Sequence, residues 1–221
     1  MANAMAGSLI MDAASMFFLG GILIYTSLYR KRGRLDDRLF FAMVIINMVM
    51  AAVDGLSFLQ KRMSLSVMRE IMMIENTLFY AGMGIFPWLF LLYLDFRVYR
   101  DQSRLRKIKL LFGIPCLALL AVLILNLWTG WIFSVGEDNT WHSGPVDEWI
   151  YLPLLFYFVM ALILTVKIDI RMVFISLLLA GFRFFSDRWI QGISSMAFTY
   201  TLFLVCTHIH VMNSPLTEET A

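Results

Sequence analysis

The chain alternates between long apolar stretches and short segments that carry most of its charge. The apolar stretches lack the strict alternation of barrel strands, so they are predicted to be helices, whose backbone is satisfied internally in lipid. A helix needs about 20 residues to cross about 30 Å of hydrocarbon, and the length of each stretch is close to this. We predict an all-α membrane protein, a bundle of seven transmembrane helices. Its spans run from about Leu9 to Tyr29, Leu39 to Gln60, Ile71 to Leu94, Leu110 to Trp128, Trp149 to Val166, Met172 to Ile190 and Ser195 to Val211.

The basic residues predict how the bundle is oriented. Thirteen of the 18 Lys and Arg side chains fall in the connections after the first, third and fifth spans. Cytoplasmic loops carry the excess of Lys and Arg, so the N-terminus is predicted outside and the C-terminus in the cytoplasm. These residues are Arg30, Lys31, Arg32, Arg34, Arg38, Arg97, Arg100, Arg104, Arg106, Lys107, Lys109, Lys167 and Arg171.

Composition narrows the classes of function. The chain is 60% hydrophobic with a net charge of +2, and its basic residues are needed for topology, so no nucleic-acid partner is expected. The basic segment around Arg104 to Lys109 is compatible with contact to anionic membrane lipid. Cys116 and Cys206 fall inside spans and are predicted to be buried apolar residues, not a disulfide. We find no metal-ligand spacing, no nucleotide-binding loop and no catalytic set, and we predict no cofactor.

The connection between the fourth and fifth spans is the longest in the chain. Residues 136–139 are typical of a turn between two strand-like arms, Trp131 to Val135 and Thr140 to His142. This pattern predicts a small extracellular hairpin that covers the outer mouth of the bundle, with Trp141 and His142 as candidate ligand contacts. The alternative is an inert connector whose tryptophans lie at the headgroup level.

Several polar side chains occur at membrane depth, where each is costly unless it has a partner, a wet cavity or a functional role. With the N-terminus outside, all of them fall in the outer half of the bundle. Three interpretations remain open: a ligand or ion cavity, structural bridges such as Asp54 to Arg183, and groups that reach the headgroups. The group comprises Asp12, Asn47, Asp54, Glu75, Asn76, Arg183 and Asp187, and of these all except Asp12 are candidate ligand contacts.

Four short motifs resemble a known family. They are Tyr93-Leu94-Asp95-Phe96-Arg97, His142-Ser143-Gly144-Pro145, Tyr151-Leu152-Pro153-Leu154-Leu155-Phe156-Tyr157 and Lys167-Ile168-Asp169-Ile170-Arg171. They resemble the seven-span N-terminal sensor region of bacterial diguanylate cyclases, the GGDEF proteins, and of related sensor histidine kinases. In that family a cytoplasmic output domain, opening with a motif like Asp-x-Leu-Thr-Gly-Leu, follows the last span. Here only Leu216 and Thr217 match it.

The resemblance and the charged residues inside the spans together predict a multi-pass sensor of the bacterial inner membrane. Residues 1–212 are expected to form the seven-span sensor domain, and residues 213–221 a cytoplasmic tail leading to an output domain that this sequence does not contain. A small molecule from the outer face is the expected ligand, and the resemblance implies a homodimer. The rival functions are a small-molecule or ion transporter or channel, which needs a polar path through the mostly apolar inner half, and an intramembrane enzyme, for which no acid/base set is present.

Overall fold

A computed structural model describes residues 2–29, 35–60, 68–137, 140–166 and 196–212. The sixth predicted span, from Met172 to Ile190, lies outside these ranges. Within them the chain is almost entirely helical, with one short hairpin. The helices are α1 (Ala2–Tyr29), α2 (Leu35–Gln60), α3 (Met68–Tyr99), α4 (Gln102–Thr129), α5 (Tyr151–Val166) and α6 (Met196–Met212), and a single 3₁₀ turn (Asp147–Ile150) precedes α5.

Five helices in the described part are long and apolar enough to cross a membrane: α1 to α4, and α5 together with its 3₁₀ turn. The sixth, α6, is a shorter apolar helix that corresponds to the seventh predicted span. Large apolar side chains stay exposed on the outside of the bundle, among them Phe17, Leu110 and Leu155. Such extensive apolar exposure is expected of a surface solvated by lipid. The chain is therefore an all-α, multi-pass membrane protein.

Helix α3 occupies the centre of the described bundle, because it packs against α2, α4 and α5. Two glycines let its neighbours approach closely. A Cβ at Gly82 would overlap the Met50 side chain of α2, and a Cβ at Gly84 would lie 2.7 Å from Leu119 Cδ2 of α4. Small residues at such positions let backbones approach in membrane bundles, where packing stabilises helix association.

Two apolar clusters divide the core along the bundle axis and show which helix ends lie together. One cluster contains Phe40, Tyr93, Leu105 and Leu164, so the start of α2 meets the ends of α3 and α5 and the start of α4. The other, which contains Met50, Leu123, Ile150 and Met196, joins the opposite helix ends. We call these the basic end and the hairpin end. Helices α1, α3, α5 and α6 run from the hairpin end to the basic end.

Helices α2, α3 and α4 extend further at the basic end than the hydropathy pattern predicts. The fourth predicted span begins at Leu110, but α4 begins at Gln102. The reason is local: the Asp101 carboxylate caps the helix, accepting hydrogen bonds from Ser103 N at 2.7 Å and Arg104 N at 3.2 Å. The prediction that the segment from Arg97 to Lys109 is a loop is therefore wrong for most of its length, because all of its cations except Arg100 lie on helix α3 or α4.

The hairpin consists of β1 (Phe133–Val135) and β2 (Trp141–Ser143), paired antiparallel. These strands overlap the two arms predicted from the sequence. Helix α4 leads into the hairpin through Gly130, whose φ of 64° lies in the left-handed region that glycine adopts without strain. Strand β1 faces the bundle, where Phe133 stacks on Tyr80 of α3 with ring centroids 5.3 Å apart.

Candidate ligand site at the hairpin end

Three acidic side chains, which we call the acidic cluster, are each buried in the hairpin-end half of the bundle. Asp12, Asp54 and Glu75 are only 4%, 9% and 7% exposed. Asp12 of α1 lies against α2, because a Cβ built on Gly55 would be 3.8 Å from its Oδ2. Neither carboxyl oxygen of Asp12 has a hydrogen-bond donor within the described residues. Burial of a carboxyl group costs several kcal/mol unless it is compensated, so each of these side chains is a candidate for a functional role.

Asn47 connects α2 to α6. Its side-chain amide donates to Ala197 O at 3.1 Å and to Thr201 Oγ1 at 2.8 Å, and all of these atoms are buried. The Thr201 hydroxyl in turn donates to Ala197 O at 2.9 Å. The amide N–H groups of Asn47 are therefore already bonded within the protein. A ligand that accepted from them would have to replace these two hydrogen bonds.

Asn76 makes a local hydrogen bond. Its amide donates to Met72 O, one turn earlier in α3, at 2.7 Å. The next residue, Thr77, bonds Met73 O in the same way at 2.7 Å. Side chains that bond back to their own helix satisfy themselves without a partner helix. The Asn76 carboxamide oxygen is the part of this side chain that a ligand would contact.

Trp141 and His142 lie on the exposed strand of the hairpin. All three residues of β2 are exposed, whereas Phe133 and Val135 of β1 are buried. The His142 ring shares a hydrogen bond of 2.8 Å with the Thr140 hydroxyl. Across the described ranges, no hydrogen bond or ion pair joins these two residues to Asp54 or Glu75. Arg183 and Asp187, the predicted basic and acidic partners on the sixth span, lie outside the described residues.

Helix α6 contacts α3 next to a proline. Pro87 has no N–H, so the carbonyl of Met83, four residues earlier, loses its donor within the helix. The Tyr200 hydroxyl of α6 donates to that carbonyl at 3.4 Å. The Tyr200 ring also stacks on Phe86 at 4.1 Å, and Phe203 meets Phe90 edge-on at 4.4 Å. The sequence signal was Pro87, because its missing N–H leaves the carbonyl of Met83 without a donor in the helix.

A second tyrosine serves a second proline break. The Tyr157 hydroxyl of α5 accepts from Cys116 N at 3.0 Å and donates to Phe112 O at 2.7 Å. An uninterrupted helix joins this donor and acceptor directly, so the hydroxyl lies inside the hydrogen-bond ladder of α4 next to Pro115. Sequence reasoning missed this contact, because nothing local shows which helix faces Pro115.

The opposite end of the bundle holds ion pairs that sequence reasoning also missed. Asp95, which is buried, accepts from Arg104 at 3.1 Å. Asp36 at the start of α2 pairs with Arg97 at 3.6 Å and with Arg100 at 3.5 Å. These contacts fasten the start of α2 to the end of α3, and the end of α3 to the start of α4. They use three of the arginines that the topology argument treats only as loop charge.

In the parts of the chain described by the structure, no group of three His, Cys, Asp or Glu side chains is arranged to hold a metal ion. Comparison with known proteins adds no relative: no protein-family model matches the chain, and no curated protein shows significant similarity to it. The resemblance to sensor regions of diguanylate cyclases therefore depends on the short motifs alone.

Proposed function

We propose that this chain is the membrane-embedded input module of a bacterial inner-membrane receptor. A small polar molecule enters from the hairpin end and contacts the polar set around Asp54, Glu75 and Asn76, completed by Arg183 and Asp187. Binding shifts the packing of α6, which conveys the change to a cytoplasmic output such as a diguanylate cyclase or a kinase. A homodimer fits such outputs, which act in pairs.

The observation that carries this proposal is the attachment of α6 to both helices of the acidic site. Asn47, two turns from Asp54 on α2, bonds α6 at Ala197 and Thr201. Two turns from Glu75, the carbonyl of Met83 on α3 accepts from Tyr200 of α6. A ligand that moves α2 against α3 therefore changes the surroundings of α6 directly. Such a shift requires that the ligand bind the two arrangements with different affinity.

The core beyond the site favours a receptor over a transporter. From the acidic cluster toward the basic end, the described interior is filled by large apolar side chains, including Phe86, Phe90, Leu91 and Leu204. Thr26 and Thr207 are the buried hydroxyls in this half among the described residues of α1 and α6. A solute that crossed would need a continuous polar path. Among the other buried polar groups of this half, Asp36 and Asp95 pair with arginines and the Tyr157 hydroxyl is bonded within α4, so these described groups do not line an open path.

We expect Glu75→Gln to abolish ligand binding while the protein stays folded. The purified chain is screened by thermal melting in detergent against amino acids, short peptides and small carboxylates. A ligand at one hundred times its Kd stabilises by about 2.7 kcal/mol, which moves a melting temperature by about 2–4 °C for each kcal/mol in chains of this size. The hit from this screen should shift the wild type and not Glu75→Gln.

The matched control is Glu70→Gln, on an exposed residue of the same helix end, which should keep the full shift. If Glu75→Gln lowers the melting temperature without ligand but retains the ligand-induced shift, Glu75 is a structural bridge and the site is misplaced. Saturable uptake of the same compound into proteoliposomes would contradict the receptor proposal and support a transporter.

Asn47→Leu is expected to uncouple α6 from ligand binding. The loss removes the two hydrogen bonds between α2 and α6, while Ala197 O keeps the Thr201 hydroxyl as a donor. The affinity for the compound found in the screen should stay within about threefold of wild type, a difference in binding free energy of under about 0.7 kcal/mol. Ligand-dependent protection of residues 196–212 in hydrogen exchange should disappear. Thr77→Val, which removes a bond within α3 only, should retain it; loss of protection in both variants contradicts a specific α2–α6 connection.

A further inference from the structure

A basic cavity lies at the end of the bundle opposite the acidic cluster. It encloses about 340 Å³ between the first turns of α2 and α4. Two leucines at its floor are partly or fully buried, and its rim is polar and exposed. We call it the basic groove; its lining residues are Leu35, Arg38, Gln102, Leu105, Arg106 and Lys109.

The three cations of the basic groove differ from three arginines of the same end. Arg97, Arg100 and Arg104 are held by Asp36 or Asp95. In the described part of the chain, by contrast, no ion pair engages the exposed side chains that line the groove. Asp101, which caps α4, is bonded to the N–H groups of that helix. With three cations and no acidic residue in its lining, the groove presents positive charge to an anion.

An apolar stripe continues from the groove along α4. Leu110, Ile114 and Leu117 are 72%, 60% and 61% exposed. They follow Arg106 at intervals of four, four and three residues, which places them on one side of a helix. At about 1.5 Å per residue, the stripe from Arg106 to Leu117 is about 16 Å long, close to half of the about 30 Å hydrocarbon core. A charged groove above a stripe of this length matches one leaflet of a bilayer.

We infer that the basic groove binds the phosphodiester headgroup of an anionic phospholipid, with an acyl chain along the Leu110–Leu117 stripe. Arg106 and Lys109 bind the phosphate, Arg38 approaches it from α2, and the exposed Gln102 amide donates to the headgroup. Guanidinium groups match phosphate oxygens in geometry as well as in charge. With the basic end in the cytoplasm, the groove faces the leaflet side where basic segments meet anionic lipid. The site is independent of the sensor proposal, since it uses none of its residues.

The test is lipid binding to the purified, delipidated full chain by native mass spectrometry. Dioleoyl phosphatidylglycerol is titrated against wild type, Arg106→Gln, Lys109→Gln and the double variant. We expect affinity to fall about fivefold for each charge removed, as expected for basic residues near an anionic surface. The matched control is Lys107→Gln, which removes an exposed charge from the same turn of α4 but not from the groove, and it should change affinity less than twofold.

Separate arms identify the source of the phosphate. Dioleoyl phosphatidylcholine should bind weakly, and sn-glycerol 3-phosphate or inorganic phosphate at millimolar concentration should not displace the lipid. Equal weakening by Lys107→Gln would show diffuse attraction and overturn the site. Displacement by inorganic phosphate would show a soluble-anion site and overturn the lipid assignment. If the double variant does not fold, the two single variants decide the same question.

Discussion

The Asn126→Ala variant is expected to lose about 2–4 kcal/mol of unfolding free energy, because buried backbone groups lose their partners. Asn126 is fully buried at the end of α4. Its Oδ1 accepts from Ile132 N at 2.7 Å and from Phe133 N at 3.3 Å, and its Nδ2 donates to Phe133 O at 3.0 Å. Ile132 and Phe133 are buried, so their backbone groups lose these partners at a shielded position and the start of β1 should detach from the bundle.

The measurement is thermal or denaturant unfolding in detergent, followed by tryptophan fluorescence. Thr129→Ala is the matched control, since Thr129 also bonds a backbone carbonyl near the end of α4 but is exposed. It should cost less than about 0.5 kcal/mol, as surface substitutions usually do. If the two variants cost the same, Asn126 does not hold the hairpin. Proteolysis of residues 131–143 should also accelerate in Asn126→Ala only.

The Tyr157→Phe variant is expected to lose about 1–3 kcal/mol, the cost of leaving buried polar groups unsatisfied. The substitution keeps the ring and removes only the hydroxyl that lies between Cys116 N and Phe112 O. Tyr151→Phe, at the exposed start of the same helix, is the matched control and should be nearly neutral. The same unfolding measurement checks both.

A double-mutant cycle with Pro115→Ala tests the cause of this loss. Alanine restores an N–H for Leu111 O, so α4 regains a continuous ladder and Cys116 N bonds Phe112 O directly. Tyr157→Phe should then cost at least about 1 kcal/mol less than in the wild-type background, a coupling typical of groups in contact. An identical cost in both backgrounds would show that the hydroxyl acts independently of the proline.

The fold class was predictable because lipid permits so few structures. Unbroken apolar stretches of this length admit only helices, and the described helices α1 to α5 follow that pattern. The helix ends were less predictable. Hydropathy placed the start of the fourth span at Leu110, since it reports the hydrocarbon boundary and not the end of the helix. Asp101 and its capping bonds set the true start of α4.

The candidate site was predictable in part for the same reason. Buried carboxyl groups at Asp54 and Glu75 stand out in any apolar helix, and the structure buries both in one half of the bundle, together with Asp12. The partners of Asn47 were not predictable, because Ala197 and Thr201 are 150 and 154 positions away. A polar residue in a span indicates from the sequence alone that a partner is needed. Which helix supplies that partner depends on how the helices pack.

The sequence by itself determined that this chain is a membrane protein and which end carries the positive charge. It also identified the residues whose burial in a bilayer costs free energy. Each of these follows from transfer free energies of single residues, which are additive along the chain. Only the tertiary structure decided that Tyr200 and Tyr157 serve the two proline breaks, that Asn126 holds the hairpin, and that Arg38 meets Arg106 and Lys109 in one groove. Those contacts depend on which helix faces join, and that choice is made by packing between segments far apart in sequence.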